Sequence, residues 1–168
     1  MEINVEERSK RAMEFFREGY NCCQSVILSF ADVAFEKAGL SAEQLAALGS
    51  GFGGGLARQR EVCGAVSGMT LIAGLVSPAL PAPHSAGLDH HSAEAMATRK
   101  ANYALVQSLC ESYRRENGSI ICRDLMGLRA GVAKESPEPS ERTPEYYKAR
   151  PCEQLVGSAA AILAEALI

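Results

Sequence analysis

Apolar positions in this chain recur at helical spacing, and the breaks between the runs fall on residues that start or stop helices. Asn4 opens the first run with acidic residues close behind it, and Gly19 stands at a stop position, so a helix is predicted over 4–18. Asn21 restarts the pattern with Gln24 three residues later. The stretch CCQSVILSFADVAFEKAG then carries stripes such as Cys23, Ile27, Phe30 and Ala34, which predict one unbroken second helix ending near Gly39. Ser41 and Gln44 begin a short third helix that breaks at Gly49.

A fourth helix is predicted from about Arg60 to Ser77; it is apolar nearly all round and so belongs at the centre of the fold. Pro78, Pro81 and Pro83 end it. The longest helix runs from Ser92 to about Asn117, with Glu94 near its start, Arg114 and Arg115 near its end and Gly118 beyond. Its two stripes, one through Leu105 and Leu109 and one through Cys110 and Tyr113, predict packing on two sides.

Ser119 is placed to cap a short helix containing Cys122, ended by Gly127. Residues 128–150, with Pro137, Pro139 and Pro144 among many charges, read as an irregular surface segment. Pro151 suits the first position of a last helix that sets Cys152, Leu155, Val156, Ala159, Leu163 and Ala166 on one face. No stretch alternates with period two. The predicted fold class is all-α: a single domain over residues 1–168, a bundle of about five main helices with short additional ones.

Composition narrows the partners. A chain of 168 residues, 47% hydrophobic and with a formal charge of −3, offers no electrostatic footprint for nucleic acid or an anionic membrane surface. The longest apolar run, VCGAVSGMTLIAGLV, stops short of the roughly 20 residues a membrane span needs. The charged amino end lacks a secretory apolar region, which leads to the expectation of a cytoplasmic protein. In a reducing cytoplasm its six cysteines are expected to be catalytic, metal-binding or plainly buried rather than structural disulfides.

The stretch GSGFGGGLARQREVCGAVSG concentrates glycine around Cys63. It matches G-x-G-x-x-G in form, but a helical segment precedes it, so the strand-turn-helix context of a dinucleotide site is missing, and no P-loop lysine follows. Two readings remain. In one, backbone N–H groups around Gly53, Gly54 and Gly55 form an anion-binding nest helped by Arg58 and Arg60. In the other, the glycines form a permissive turn that lets helices approach closely, as Gly64 and Gly68 would on the next helix.

Cys22, Cys63, Cys122 and Cys152 each fall at a predicted helix amino end, where unpaired N–H groups favour the thiolate. Arg58, Arg60, Arg123 and Arg150 lie close to them in sequence. Cys110 sits inside a long helix on an apolar stripe and reads as a small buried hydrophobe. Cys23 adjoins Cys22, and a bond between neighbours would strain the backbone, so one of the two at most joins a shared site.

The segments GYNCCQSV, GFGGGLARQREVCGAVSG, ICRDLMG and CEQLVGSAAAILAE, in that order, resemble the C_GCAxxG_C_C family of redox-active bacterial proteins. The resemblance implies a small helical protein with widely separated cysteines and a redox or metal role that the family does not define further. By motif position it selects Cys22, Cys63, Cys122 and Cys152. The central motif departs from the family's, since cysteine and glycine are exchanged at Cys63 and Gly64.

His84, His90 and His91, with Asp89, are a further candidate metal group, although adjacent histidines on an exposed loop are commonly solvated. Zincin, serine-hydrolase and thioredoxin signatures are absent. Three functions are therefore weighed. The first is a thiol oxidoreductase or electron-transfer protein in which the four cysteines converge and a pair cycles between dithiol and disulfide with an unidentified redox partner. The second is a module in which the same four thiolates bind an iron–sulfur cluster or a single metal ion. The third is a scaffold with inert cysteines. The small-residue faces of the fourth helix would permit a homodimer.

Overall fold

The computed structural model describes residues 3–76, 89–128 and 135–168, and these form α-helices, one 3-10 turn and no strand. The fold is all-α. Helix α1 (Val5–Arg17) starts where the Glu7 N–H donates to the Asn4 side chain, 2.9 Å away. Its buried stripe, Arg8, Ala12 and Phe16, follows the four-residue helical repeat and faces α9 (Cys152–Leu167) and α2 (Cys22–Leu28).

The predicted second helix is two. Helix α2 stops at Leu28 and α3 resumes over Ala31–Ala38, ending on left-handed Gly39. The break has a local cause and a distant one. Ser29 turns its hydroxyl back to the Val26 carbonyl at 2.6 Å, and Arg8 of α1 captures the Ser29 carbonyl at 2.7 Å while forking onto the Asp32 carboxylate at 2.6 and 2.8 Å. Burial pushes the Asp32 carboxyl up, but Arg8's hydrogen bonds and charge outweigh it and hold the group below its ordinary value.

Helix α4 (Ala42–Gly49) carries the capping box of Ser41 and Gln44, and a single 3-10 turn, Ser50–Phe52, follows. Helix α5 (Gly64–Val76) begins about four residues later than its apolar pattern predicts. Residues ahead of it are drawn into an antiparallel bridge between Val62 and Ile121, with the Cys63 N–H on the Ile120 carbonyl at 2.8 Å and the Cys122 N–H on that of Glu61 at 2.7 Å. As expected, α5 is central, touching α2, α3, α6 and α9.

Helix α6 (Ala93–Asn117) has the predicted length, with Ser92 as its cap and left-handed Gly118 beyond it. It packs on both α5 and α9, with Leu109 and Tyr113 buried near its end, whereas Met96 and Tyr103 are exposed. Helix α7 (Cys122–Leu125) is capped by Ile121 rather than Ser119, whose hydroxyl instead accepts from the Ile121 N–H and donates to Asp124.

The presumed irregular segment contains α8 (Pro144–Ala149), and Pro151 is the cap of α9 rather than its first residue. Helix α9 is buried on more than one face, through Ala160, Ile162 and Ala164 as well as Val156 and Leu163, while Ala166 is exposed. Among the described residues no helix is long and apolar enough to cross a membrane.

Candidate functional site

Cys22 is the first residue of α2, held there by a capping box in which the Asn21 side chain accepts from the Gln24 N–H and Gln24 accepts from the Asn21 N–H. Asn21 also donates to the Gly49 and Ser50 carbonyls, both at 3.1 Å, and so pins the glycine stretch over the start of α2. Cys63 takes the cap position of α5, its carbonyl accepting from the Ser67 N–H. Cys122 and Cys152 are the first residues of α7 and α9. All four thiols line one cavity of about 340 Å³, although 130 residues separate Cys22 from Cys152. All six cysteines are free.

Two glycines explain how the backbones come so close. A methyl group on Gly55 would meet Cys122 Cβ at 2.7 Å and the Glu61 backbone at 2.8 Å, and its φ of 69° is in any case left-handed. One on Gly64 would meet the Phe52 carbonyl oxygen at 2.8 Å and Cys22 Cβ at 3.1 Å. Chain approach around the thiols thus requires glycine at both places.

Between them the backbone is left-handed over consecutive residues: Gly54 (65°), Gly55 (69°), Leu56 (63°), Ala57 (48°) and Arg58 (66°), then again at Arg60 (60°). Each non-glycine residue there costs about 1–2 kcal/mol. The N–H groups of Leu56, Ala57, Arg58, Arg60 and Glu61 turn back onto carbonyls of residues 51–55 and so are spent within the loop. Gly53, Gly54, Gly55 and Arg58 do line the cavity. The Arg58 guanidinium reaches the Ser136 carbonyl and Glu135, and Arg60 forks onto Glu135 at 2.6 and 2.7 Å while lying 3.7 Å from Cys122 Sγ.

Helix ends alone do not make these cysteines thiolates, contrary to the expectation from their position. Burial pushes Cys63 up to about 11, against the pull of the Ala65 and Val66 N–H groups and the Tyr113 hydroxyl 3.7 Å away. Burial likewise raises Cys122, with Arg60 opposing it. Cys152 alone goes down, to about 7: a hydrogen bond from the Cys22 thiol leads, burial opposes, and Arg150, Arg60 and Arg142 add their charges. Cys22, as the donor in that bond, is raised well above its ordinary value, with burial and the neighbouring sulfurs contributing further. Among the cavity thiols, these partners favour the charged form at Cys152.

Cys23 and Cys110 stay outside the cavity. Cys23 is fully buried, its thiol pushed up to about 12 by desolvation and then by Cys63, and Cys110 is half-buried on α6. His90 and His91 are exposed, and His84 lies outside the described residues. Among the described residues no three His, Cys, Asp or Glu side chains are grouped to hold a metal ion.

Sequence reasoning missed the wall built by residues 135–150. Arg142 stacks on Phe16 and Tyr146 at 4.8 and 4.7 Å, Arg150 stacks on Tyr146 at 4.6 Å, and Met126 Sδ lies 3.7 Å from Cys152 Sγ. The signal available was the run of arginines and tyrosines immediately before Cys152, read instead as a solvated loop. No curated protein and no solved structure gives a significant match to the chain. The family model described as "Putative redox-active protein (C_GCAxxG_C_C)" matches residues 20–166, which include all four cavity cysteines, and the chain belongs to that family.

Proposed function

We propose that the protein is a thiol–disulfide oxidoreductase in which Cys152 is the attacking thiolate and Cys22 the resolving thiol. The observation that carries this reading is the meeting of Cys22 and Cys152 on one cavity lined by Arg60, Arg142 and Arg150, whose charges, with the Cys22 thiol, draw Cys152 below its ordinary value. A thiol with a pKa near ambient pH balances thiolate fraction against intrinsic nucleophilicity.

Cys152 Sγ attacks one sulfur of a substrate disulfide, forming a mixed disulfide and expelling the other half as a thiolate. Cys152 then carries no charge, so the hydrogen bond and repulsion that raised Cys22 disappear, and Cys22 gives its proton to the departing thiolate. Cys22 Sγ attacks Cys152 Sγ, closes an internal disulfide and releases the second half of the substrate as a thiolate. The substrate gains two electrons and the protein loses two; an external dithiol returns them.

The test is trapping. With bis(hydroxyethyl) disulfide, the native chain is expected to lose two titratable thiols without retaining an adduct. The Cys22→Ser variant is expected to retain one hydroxyethylthio group, on Cys152. An unchanged thiol count, or adducts spread over Cys63 and Cys122, would remove the reading.

A second reading is favoured by one observation, the presence of four cysteines on one cavity beside arginines able to offset several thiolates. Ligands of an iron–sulfur cluster stand farther apart than those of a single ion, so Cys22, Cys63, Cys122 and Cys152 would be its ligands and would supply one-electron transfer. Visible absorption and bound iron in anaerobically purified protein would establish it; a colourless, iron-free protein with intact thiol exchange counts against it.

A further inference from the structure

Four arginines line the cavity and no Asp or Glu does. Arg58 and Arg60 share one carboxylate, Glu135, from beyond the lining. Arg142 and Arg150 have no carboxylate partner among the described residues; aromatic rings hold them instead. Residues 129–134 bring neither Asp nor Glu by sequence. Among the described residues one carboxylate, that of Glu135, thus answers four guanidinium groups.

Arg142 adds a sharper observation. Its Nη2 reaches the Tyr20 carbonyl at 3.4 Å, but its Nη1 is buried without a hydrogen-bond partner. A buried, unpaired donor costs about 1–3 kcal/mol, more when charged, and asks for an acceptor. A volume of about 340 Å³ lies within the range of small-molecule sites.

We infer that the cavity takes a small disulfide carrying an anionic group, carboxylate or phosphate, which sits on Arg142 and Arg150 and brings its sulfur–sulfur bond to Cys152. This rests on the thiol-exchange reading above and adds the class of substrate. The guanidinium forks suit the planar or tetrahedral oxygens of either anion.

The experiment is a charge series of similar size: dithiodipropionate (anionic), bis(hydroxyethyl) disulfide (neutral) and cystamine (cationic). Each oxidises the reduced native protein, and each rate is divided by that disulfide's rate with 2-mercaptoethanol. At low salt the anionic probe is expected to lead the neutral one by about tenfold, the cationic one to trail, and the spread to shrink as salt is added. Arg150→Gln is expected to lower the anionic-to-neutral ratio, a quantity unaffected by any uniform change in Cys152 reactivity. Should Arg142→Gln fail to fold, the native series and Arg150→Gln still decide.

Among anions, an acidic peptide disulfide and a phosphate-ended pantetheine disulfide separate the two headgroups, and either exceeding the neutral probe supports the inference. Equal rates across the charge series, with Cys152 still oxidised, overturn the inference and leave thiol exchange standing. No oxidation by any probe overturns both.

Discussion

Cys152 is the first residue of α9 and Cys63 the residue just before α5, so both stand at helix amino ends, and both are nearly buried, 8% and 3% exposed. Their thiols are nevertheless driven apart, to about 7 and about 11. The helix amino end is common to both and so does not decide the outcome. At α9 the sulfur receives a thiol hydrogen bond and the charges of Arg150, Arg60 and Arg142. At α5 two backbone N–H groups and the hydroxyl of a fully buried Tyr113 are all that oppose desolvation. Partners around a thiol outweigh its place on a helix.

The largest expected effect is in alkylation. At pH 7 Cys152 should react with iodoacetamide about a hundredfold faster than Cys63, after allowing for the weaker nucleophilicity of a low-pKa thiolate. Peptide-resolved mass spectrometry over a time course checks this, and comparable rates would erase the contrast.

Stability should follow the same division. Cys152 lies below its ordinary value of 9.0 in the folded chain, so its contribution is present above pH 9 and lost as pH falls through about 7. Cys63 lies above that value, so its contribution is present below pH 9 and lost as pH rises through about 11. Denaturant titrations should show about 2 kcal/mol gained from pH 7 to 9 in the native chain relative to Cys152→Ser, and beyond pH 9 a decline in the native chain relative to Cys63→Ser.

Removing the hydrogen bond sharpens the comparison. In Cys22→Ala the Cys152 thiol should titrate higher, and its alkylation at pH 7 should slow several-fold, since each pK unit is worth about 1.4 kcal/mol. The pH–rate profile measures it. The smallest effect belongs to the strained loop: Ala57→Gly, at an exposed left-handed position, should raise stability by about 0.5–1 kcal/mol in urea without altering the thiol profile.

Much of the fold was legible because its signals are local. The capping boxes at Asn21 and Ser41, and the left-handed ends at Gly39 and Gly118, lie within a few residues of the helix boundaries they set. The break at Ser29 was not, because Arg8, distant in sequence, takes the Ser29 carbonyl. Nor was the late start of α5, which depends on pairing between Val62 and Ile121.

At the site, adjacency limited Cys22 and Cys23 to one member, the family resemblance chose Cys22, and helix-interior position set Cys110 aside. The ionisation order was hidden, because it depends on burial and on Arg142 approaching, beside the expected Arg150, from a segment that composition marks as surface. The left-handed run through Leu56, Ala57 and Arg58 was hidden too, since none of these residues advertises a positive φ.

The most direct measurement is to equilibrate the reduced protein in a dithiol–disulfide redox buffer, quench it with acid and map its disulfides by peptide mass spectrometry. The account predicts one reversible bond, Cys22 to Cys152, with Cys63 and Cys122 still reduced. A bond between Cys63 and Cys122, or no bond at any potential, would contradict it.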